Sequence, residues 1–278
     1  MHLNFDWTAT QVLWTLTFAA LLVLLVVLLG RERARRFPWF TTSIALMALR
    51  LLAERLLFER LPRLTLNEIF LALADLMALV SLLVLLEVAR RAFSGARRRT
   101  WIGWTLAMAT VAAWVLYAWG QWPDWKTLTA DSTVAALRLM QLAAQKGDLL
   151  AGVLAVELGL LVALFGRRYK GGWRSHTQRI MIGLSTAALT QLAVQGVLQA
   201  IIKTAQAHPL GRPEYERIIG LVDKLQNANR VVYVAVLVWW IVCLWMDEPG
   251  AAAVAAAQAE IADETLAQTT DAPVEKEQ

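Results

Sequence analysis

Three ionisable side chains lie inside otherwise apolar stretches of the chain: Arg50, Asp75 and Glu157. A charge in hydrocarbon costs about 2.5–3.5 kcal/mol on insertion scales, so such residues usually face the interior of a helix bundle beside a partner. Counted along the predicted helices at about 1.5 Å per residue, Arg50 and Asp75 fall at similar depth, which predicts a direct ion pair. Glu157 lies near the middle of its stretch and has no charged neighbour on its own helix.

Two sets of polar residues recur three or four positions apart, which places each set on one face of a helix. They are Gln191, Gln195 and Gln199 in one stretch, and Asn227, Arg230 and Tyr233 in the next. Both sets lie in the same half of the predicted bundle as Arg50 and Asp75, whereas the opposite half is nearly all Leu, Val, Ile and Ala. A conduction path would place polar residues at all depths. The asymmetry therefore predicts a water-accessible pocket that opens on one side of a membrane.

An alternative interpretation is that these polar groups bond to one another and tie helices together, each contributing about 0.6 kcal/mol. Glu157 favours the pocket, because no partner for it is evident on its own helix. The pocket hypothesis gives nine candidate ligand-binding residues: Arg50, Asp75, Glu157, Gln191, Gln195, Gln199, Asn227, Arg230 and Tyr233.

Small residues form a continuous seam on the stretch that carries Glu157. They recur three or four positions apart and permit close approach of another helix backbone: Gly152, Ala155, Gly159, Ala163 and Gly166. The seam points about 160° away from Glu157. If Glu157 faces the bundle interior, the seam faces outward and forms a homodimer contact. The alternative is packing against a neighbouring helix of the same chain.

The sequence gives no support for catalysis or for a bound metal or cofactor. Its three histidines, at positions 2, 176 and 208, all lie outside the apolar stretches, which excludes an intramembrane haem or zinc site and a buried serine–histidine pair. The single cysteine, Cys243, is interpreted as a packing residue. Lys224 lies at the edge of the last stretch, which argues against a retinal-binding rhodopsin. We therefore expect a protein that is not an enzyme.

The elements that position these residues are predicted to be membrane-spanning helices. The chain has 278 residues, of which 58% are hydrophobic, and a mean hydropathy of +0.49. About 20 apolar residues are needed to cross a bilayer as a helix. Residues 1–248 hold seven stretches that qualify: 9–30, 37–58, 67–89, 101–120, 149–167, 180–202 and 227–246. The predicted fold is an all-α polytopic membrane protein with seven transmembrane helices.

The basic residues predict the orientation of the bundle. The links after the first, third and fifth stretches, residues 31–36, 90–99 and 167–179, hold 14 Lys or Arg and one acid, Glu32. Because short basic links stay in the cytoplasm, the N-terminus is expected outside and the C-terminus inside. This placement also accounts for the net charge of +5 without a nucleic-acid partner.

Two segments are predicted to lie outside the bilayer. Residues 121–148 predict a short helix, capped near Asp131 or Ser132, that lies on the outer membrane surface. Residues 249–278 form an Ala-rich, acidic tail that is expected to be disordered in the cytoplasm, with no output domain. No internal repeat is evident, which weakens a transporter built from duplicated halves.

Seven spans with an external N-terminus and short basic links resemble, in layout, the seven-helix sensor region of bacterial histidine kinases and related receptors. The resemblance covers residues 1–248, and residues 35–52, RRFPWFTTSIALMALRLL, are similar to other bacterial seven-helix membrane proteins. It implies a multi-pass protein of the bacterial inner membrane that binds a small or lipid-like ligand from outside. A protein partner would meet the basic links or the acidic tail.

The first functional interpretation is thus a membrane sensor or binding module with membrane lipids around it. The second is a non-catalytic subunit or scaffold of a larger membrane complex. The third is a small-solute transporter.

Overall fold

The computed structural model describes residues 8–57, 60–93, 98–119, 122, 133–165, 175–207 and 212–247, which form eight α-helices and no β-strand. The predicted acidic tail, 249–278, lies outside the described residues, as do residues 123–132. The helices are α1 (Ala9–Gly30), α2 (Arg33–Arg36), α3 (Pro38–Leu57), α4 (Arg63–Ala92), α5 (Arg98–Ala118), α6 (Thr133–Phe165), α7 (His176–Ala207) and α8 (Arg212–Trp245).

Six of the long helices form a closed ring. Around the ring, α1 contacts α3, α3 contacts α4, α4 contacts α6, α6 contacts α7, α7 contacts α8, and α8 returns to α1. Helix α5 packs on the outside of α6, and α4 also touches α7 across the ring. Each ring helix therefore has one face toward a shared interior, where polar side chains can meet away from lipid.

Basic residues mark one end of the ring, which we name the basic end. Arg31 and Arg33 follow α1, Arg91 lies in the last turn of α4, and Arg179 lies in the first turn of α7. Asp247, just after α8, pairs with Arg33 at 3.0 Å and with Arg31 at 3.9 Å. Helices α1 and α8 therefore finish side by side at this end.

The buried core lies in the half of the ring next to the basic end. Leu24, Leu28, Phe37, Met181 and Leu244 have exposed fractions of 0%, and they come from α1, the start of α3, and the basic ends of α7 and α8. Such side chains interdigitate at close to crystal density and leave few voids that would hold water. This half of the bundle is therefore closely packed.

The outside of the bundle is apolar, as expected for a membrane protein. Val26, Leu106 and Leu164 are 68%, 63% and 73% exposed. Large apolar surfaces of this kind are rare on soluble monomers. Five of the described helices are long and apolar enough to cross a membrane: Ala9–Gly30, Arg63–Ala92, Thr133–Phe165, His176–Ala205 and Glu214–Trp245. The prediction of an all-helical membrane protein is confirmed.

Two predicted helices differ from these five. Ile102–Ala118 in α5 is apolar but shorter, and α3 carries Arg50, Glu54 and Arg55 in its second half. The helix predicted within residues 121–148 is present from Thr133, but the prediction that it is separate from the fifth span is wrong, because Thr133–Phe165 is one continuous helix of 33 residues. Polar residues of its first half line the ring interior, as described next.

Candidate functional site

Two contiguous cavities occupy the ring interior. The deep chamber, of about 340 Å³, lies toward the basic end, and the vestibule, of about 770 Å³, lies toward the opposite end. Both volumes fall within the range of about 300–1,000 Å³ typical of small-molecule sites. The two cavities adjoin, because they share five wall residues: Met47, Ser81, Asp148, Gln191 and Gln195.

The deep chamber has mostly apolar walls and an aromatic floor. Its walls include Ile44 from α3, Leu85 from α4 and Leu184 from α7. The floor is formed by Phe40 and Trp240, whose rings meet edge to face with centroids 5.1 Å apart. Aromatic pairs favour this geometry. The chamber therefore ends where the buried core begins and can accept an apolar group.

A buried carboxylate holds the floor in place. Glu87 of α4 is 8% exposed, and its Oε2 accepts the backbone N–H of Phe40 at 3.2 Å. The first N–H groups of a helix have no partner within that helix, so Glu87 caps the start of α3. Its Oε1 lies 3.6 Å from Arg91, whose guanidinium stacks on the Phe37 ring at 4.8 Å. The floor is thus bonded directly to the basic end.

Polar side chains surround the upper part of the deep chamber. Asn229 Nδ2 donates to Gln191 Oε1 at 2.6 Å and so ties α8 to α7. Tyr233 Oη donates to Met47 Sδ at 2.7 Å and ties α8 to α3. Because each bond joins two ring helices, the polar level is held at a fixed width where the chamber meets the vestibule.

The vestibule contains charged side chains that compensate one another in part. Arg50 Nε is 3.2 Å from Glu54 Oε1, and Arg50 Nη1 is 3.5 Å from Met77 Sδ. The Asp148 carboxylate lies near Arg50 and accepts a hydrogen bond from Gln195. The guanidinium of Arg50 is therefore paired with Glu54, while Asp148 forms no ion pair with any residue that the structure describes.

Lys146 is already bonded at the edge of the vestibule. Its Nζ donates to the backbone oxygens of Leu116 at 3.1 Å and Trp119 at 2.7 Å, and it lies 4.3 Å from the centre of the Trp122 ring. Free carbonyl oxygens at the end of a helix carry partial negative charge, which the ammonium stabilises. Lys146 thus fastens the end of α5 to α6.

Comparison with known proteins gives no family for this chain. No family model, curated protein or solved structure matches it. Within the described ranges, no group of three or more His, Cys, Asp or Glu side chains is placed to hold a metal ion. The charged and amide groups that line the two chambers are those of glutamines, one asparagine, two arginines, one lysine and one aspartate.

The structure brings together six of the nine residues predicted to bind a ligand. Gln191 and Gln195 line both chambers, and the other four line one of them: Arg50, Gln199, Arg230 and Tyr233. Asp75, Glu157 and Asn227 line neither chamber. The predicted Arg50–Asp75 ion pair is not formed among the described residues, because Arg50 turns to Glu54, one helical turn along its own helix.

Glu157 points away from both chambers. It follows Asp148 by nine residues, so it projects about 180° from the Asp148 face of α6. Both of its carboxylate oxygens are buried without a hydrogen-bond partner in the described part of the chain. This placement separates it from the ligand site and leaves a polar group inside the bundle that would be costly if ionised.

The small-residue seam packs against α7 of the same chain. A Cβ on Gly152 would lie 3.5 Å from Leu192, and Ser185 Oγ donates to the Ala155 carbonyl at 2.9 Å. A Cβ on Gly159 would overlap Ser185. Ala163 lines a shallow groove beside this contact, and Gly166 lies outside the described residues.

Several site residues escaped the sequence reasoning. Gln141, Gln145 and Asp148 recur four and three positions apart, which is the same signal that identified the glutamines of α7. They fell in a segment interpreted as a surface helix, so their shared face was not assigned to the interior. Asn229, one residue from the predicted face of α8, was missed because spacing gave no reason to prefer it.

Proposed function

We propose that this protein is a membrane-embedded sensor or binding protein that takes one small amphipathic molecule into its ring interior. The observation that carries this proposal is the pair of adjoining cavities, a vestibule lined by charged and amide groups above an apolar chamber on Phe40 and Trp240. The polar walls of the vestibule would bind the polar group of such a molecule, and the apolar walls of the deep chamber would bind its apolar group.

The proposed topology has seven spans, with α3 and α5 completing the set, in the inner membrane of a bacterium. The positive-inside rule places the basic end in the cytoplasm, so the vestibule faces the exoplasmic side. Arg50 and Glu54 are tolerated in α3 because they pair with each other and because Arg50 lines the vestibule.

A ligand bound against Phe40 and Trp240 would affect the basic end through the contacts of Glu87 and Arg91. A ligand that reaches Phe40 touches the first turn of α3, whose N–H is held by Glu87, and Glu87 contacts Arg91. Small shifts at helix contacts of this kind are a common switching mode. This connection supports a sensor over a transporter, which would need the packed core below Phe40 to open.

Native mass spectrometry of the protein purified in mild detergent tests this function. We expect the wild-type protein to carry a bound small molecule. The Ala188→Leu variant should lose this molecule, because the substitution places three extra carbons in the deep chamber. The Ala193→Leu variant should retain it, because position 193 is exposed on the same helix.

A small molecule that is absent from wild type, or present equally on both variants, contradicts the proposal. Stoichiometric protein partners in place of a ligand would support a subunit of a larger complex. Solute uptake into proteoliposomes would support a transporter.

A further inference from the structure

Two opposite charges stand at the same level on different walls of the deep chamber. Asp148 on α6 and Arg230 on α8 both line it, and α7 separates these two helices in the ring. Counted from the basic ends of their helices at about 1.5 Å per residue, Asp148 lies about 25 Å and Arg230 about 22 Å along. Both charges therefore stand where the apolar chamber meets the vestibule.

Neither wall is electrically neutral. Arg50 is paired with Glu54 at 3.2 Å, and Asp148 forms no ion pair with any residue that the structure describes, so its wall of the deep chamber carries one negative charge. Arg230 forms no ion pair with any residue that the structure describes, so its wall carries one positive charge. The Lys146 ammonium keeps its positive charge, but it lies at the edge of the vestibule and does not line the deep chamber, whose charged lining residues are Asp148 and Arg230.

We infer that the ligand is a zwitterion with a single apolar substituent: an ammonium toward Asp148, a carboxylate or phosphate toward Arg230, and the apolar group in the deep chamber. This inference rests on the proposed binding function and names its ligand class. A free apolar amino acid and a single-chain ethanolamine phospholipid share this chemistry.

A ligand with one charge fits the walls less well. A cation alone would compensate Asp148 and leave Arg230 without a counter-charge, while an anion alone would leave the negative wall uncompensated. Unpaired charges removed from water are costly. The volume of about 340 Å³ suits one side chain or one short chain. The amides of Gln191 and Gln195 can donate to the anionic group and accept from the ammonium.

Titration calorimetry on the detergent-purified protein tests the charge requirement with four probes. L-Phenylalanine carries both charges, phenethylamine only the ammonium, and 3-phenylpropanoate only the carboxylate; lysophosphatidylethanolamine represents the lipid source. We expect L-phenylalanine or the lysolipid to bind at least about tenfold more tightly than either singly charged probe, because each charged hydrogen bond contributes about that factor.

Two variants assign the charges. Asp148→Asn should equalise the affinities of L-phenylalanine and 3-phenylpropanoate, and Arg230→Gln should equalise those of L-phenylalanine and phenethylamine; if the lysolipid is the tighter ligand, both variants should weaken it about tenfold. Asp223→Asn and Arg217→Gln are matched controls, exposed on α8 and outside both chambers, and should change neither ratio.

Equal binding of a singly charged probe to wild type, no binding of either zwitterion, or unchanged ratios in both variants would overturn the inference. Failure of the inference is distinguishable from failure of the binding function. A co-purifying molecule that Ala188→Leu displaces but that Asp148→Asn and Arg230→Gln leave bound keeps the function and removes the zwitterion. A molecule that Ala188→Leu does not displace removes both.

Discussion

Replacing Gly183 with alanine is expected to destabilise the protein by about 1–3 kcal/mol and to abolish ligand binding in the deep chamber. A Cβ at this position would overlap Trp240 Nε1 and lie 2.8 Å from Trp240 Cζ2. Trp240 is 2% exposed and is fixed against Phe40, so the indole has no free rotation by which to yield. It would move into the chamber, because the core below it is closely packed.

Thermal unfolding in detergent and native mass spectrometry measure the two effects. Gly220→Ala on α8 is the matched control, since nothing lies within 4 Å of its added Cβ, and it is expected to be neutral or to stabilise by up to about 1 kcal/mol. A Gly183→Ala protein that is as stable as wild type and still carries its ligand would show that Trp240 does not form the floor.

The second large effect is expected from Gly159→Leu. The new side chain would meet Ser185, whose Cβ would lie 2.7 Å from the added Cβ, and would disrupt the hydrogen bond from Ser185 to the Ala155 carbonyl. Helices α6 and α7 must then separate. Because this contact closes the ring beside the deep chamber, we expect the free energy of unfolding of the monomer to fall by more than about 2 kcal/mol.

Thermal melts measure the loss of stability, and size-exclusion chromatography shows whether the protein remains a folded monomer. Gly103→Leu on α5 is the control, because its added Cβ has nothing within 4 Å. A stable Gly159→Leu monomer that only loses a crosslinked dimer would instead place the seam between two copies of the chain.

Much of the fold followed from apolar length alone. The first predicted span, residues 9–30, coincides with α1, and Thr8 with Gln11 forms the capping box that starts it. The sequence predicts a helix that starts near Asp131 or Ser132, and α6 begins at Thr133, but length and composition could not show that this helix continues without a break into the fifth span. The polar residues there were assigned to a membrane surface, whereas the ring provides an interior where they can line a cavity.

The sequence predicted which candidate site residues share a helix face, but not how each helix is rotated about its axis in the bundle. Spacing showed which residues share a face, as for Gln191 and Gln195, but not which neighbour that face meets. Glu157 was therefore assigned to the pocket although its face is opposite Asp148. Depth correctly placed Arg50 in the polar half, but the choice between Asp75 and Glu54 as its partner depends on the packing of α3 against α4.

Cysteine accessibility tests most directly whether the polar chambers open to the exoplasmic side and are closed at the basic end. Cys243 is the single cysteine and is 3% exposed, so Cys243→Ala gives a background on which Gln195→Cys, Met181→Cys and Arg35→Cys can be compared. With a membrane-impermeant maleimide, we predict that Gln195→Cys reacts from the exoplasmic side, Arg35→Cys reacts only from the cytoplasmic side, and Met181→Cys reacts from neither. Reaction of Gln195→Cys from the cytoplasmic side only, or rapid reaction of Met181→Cys, would contradict this account.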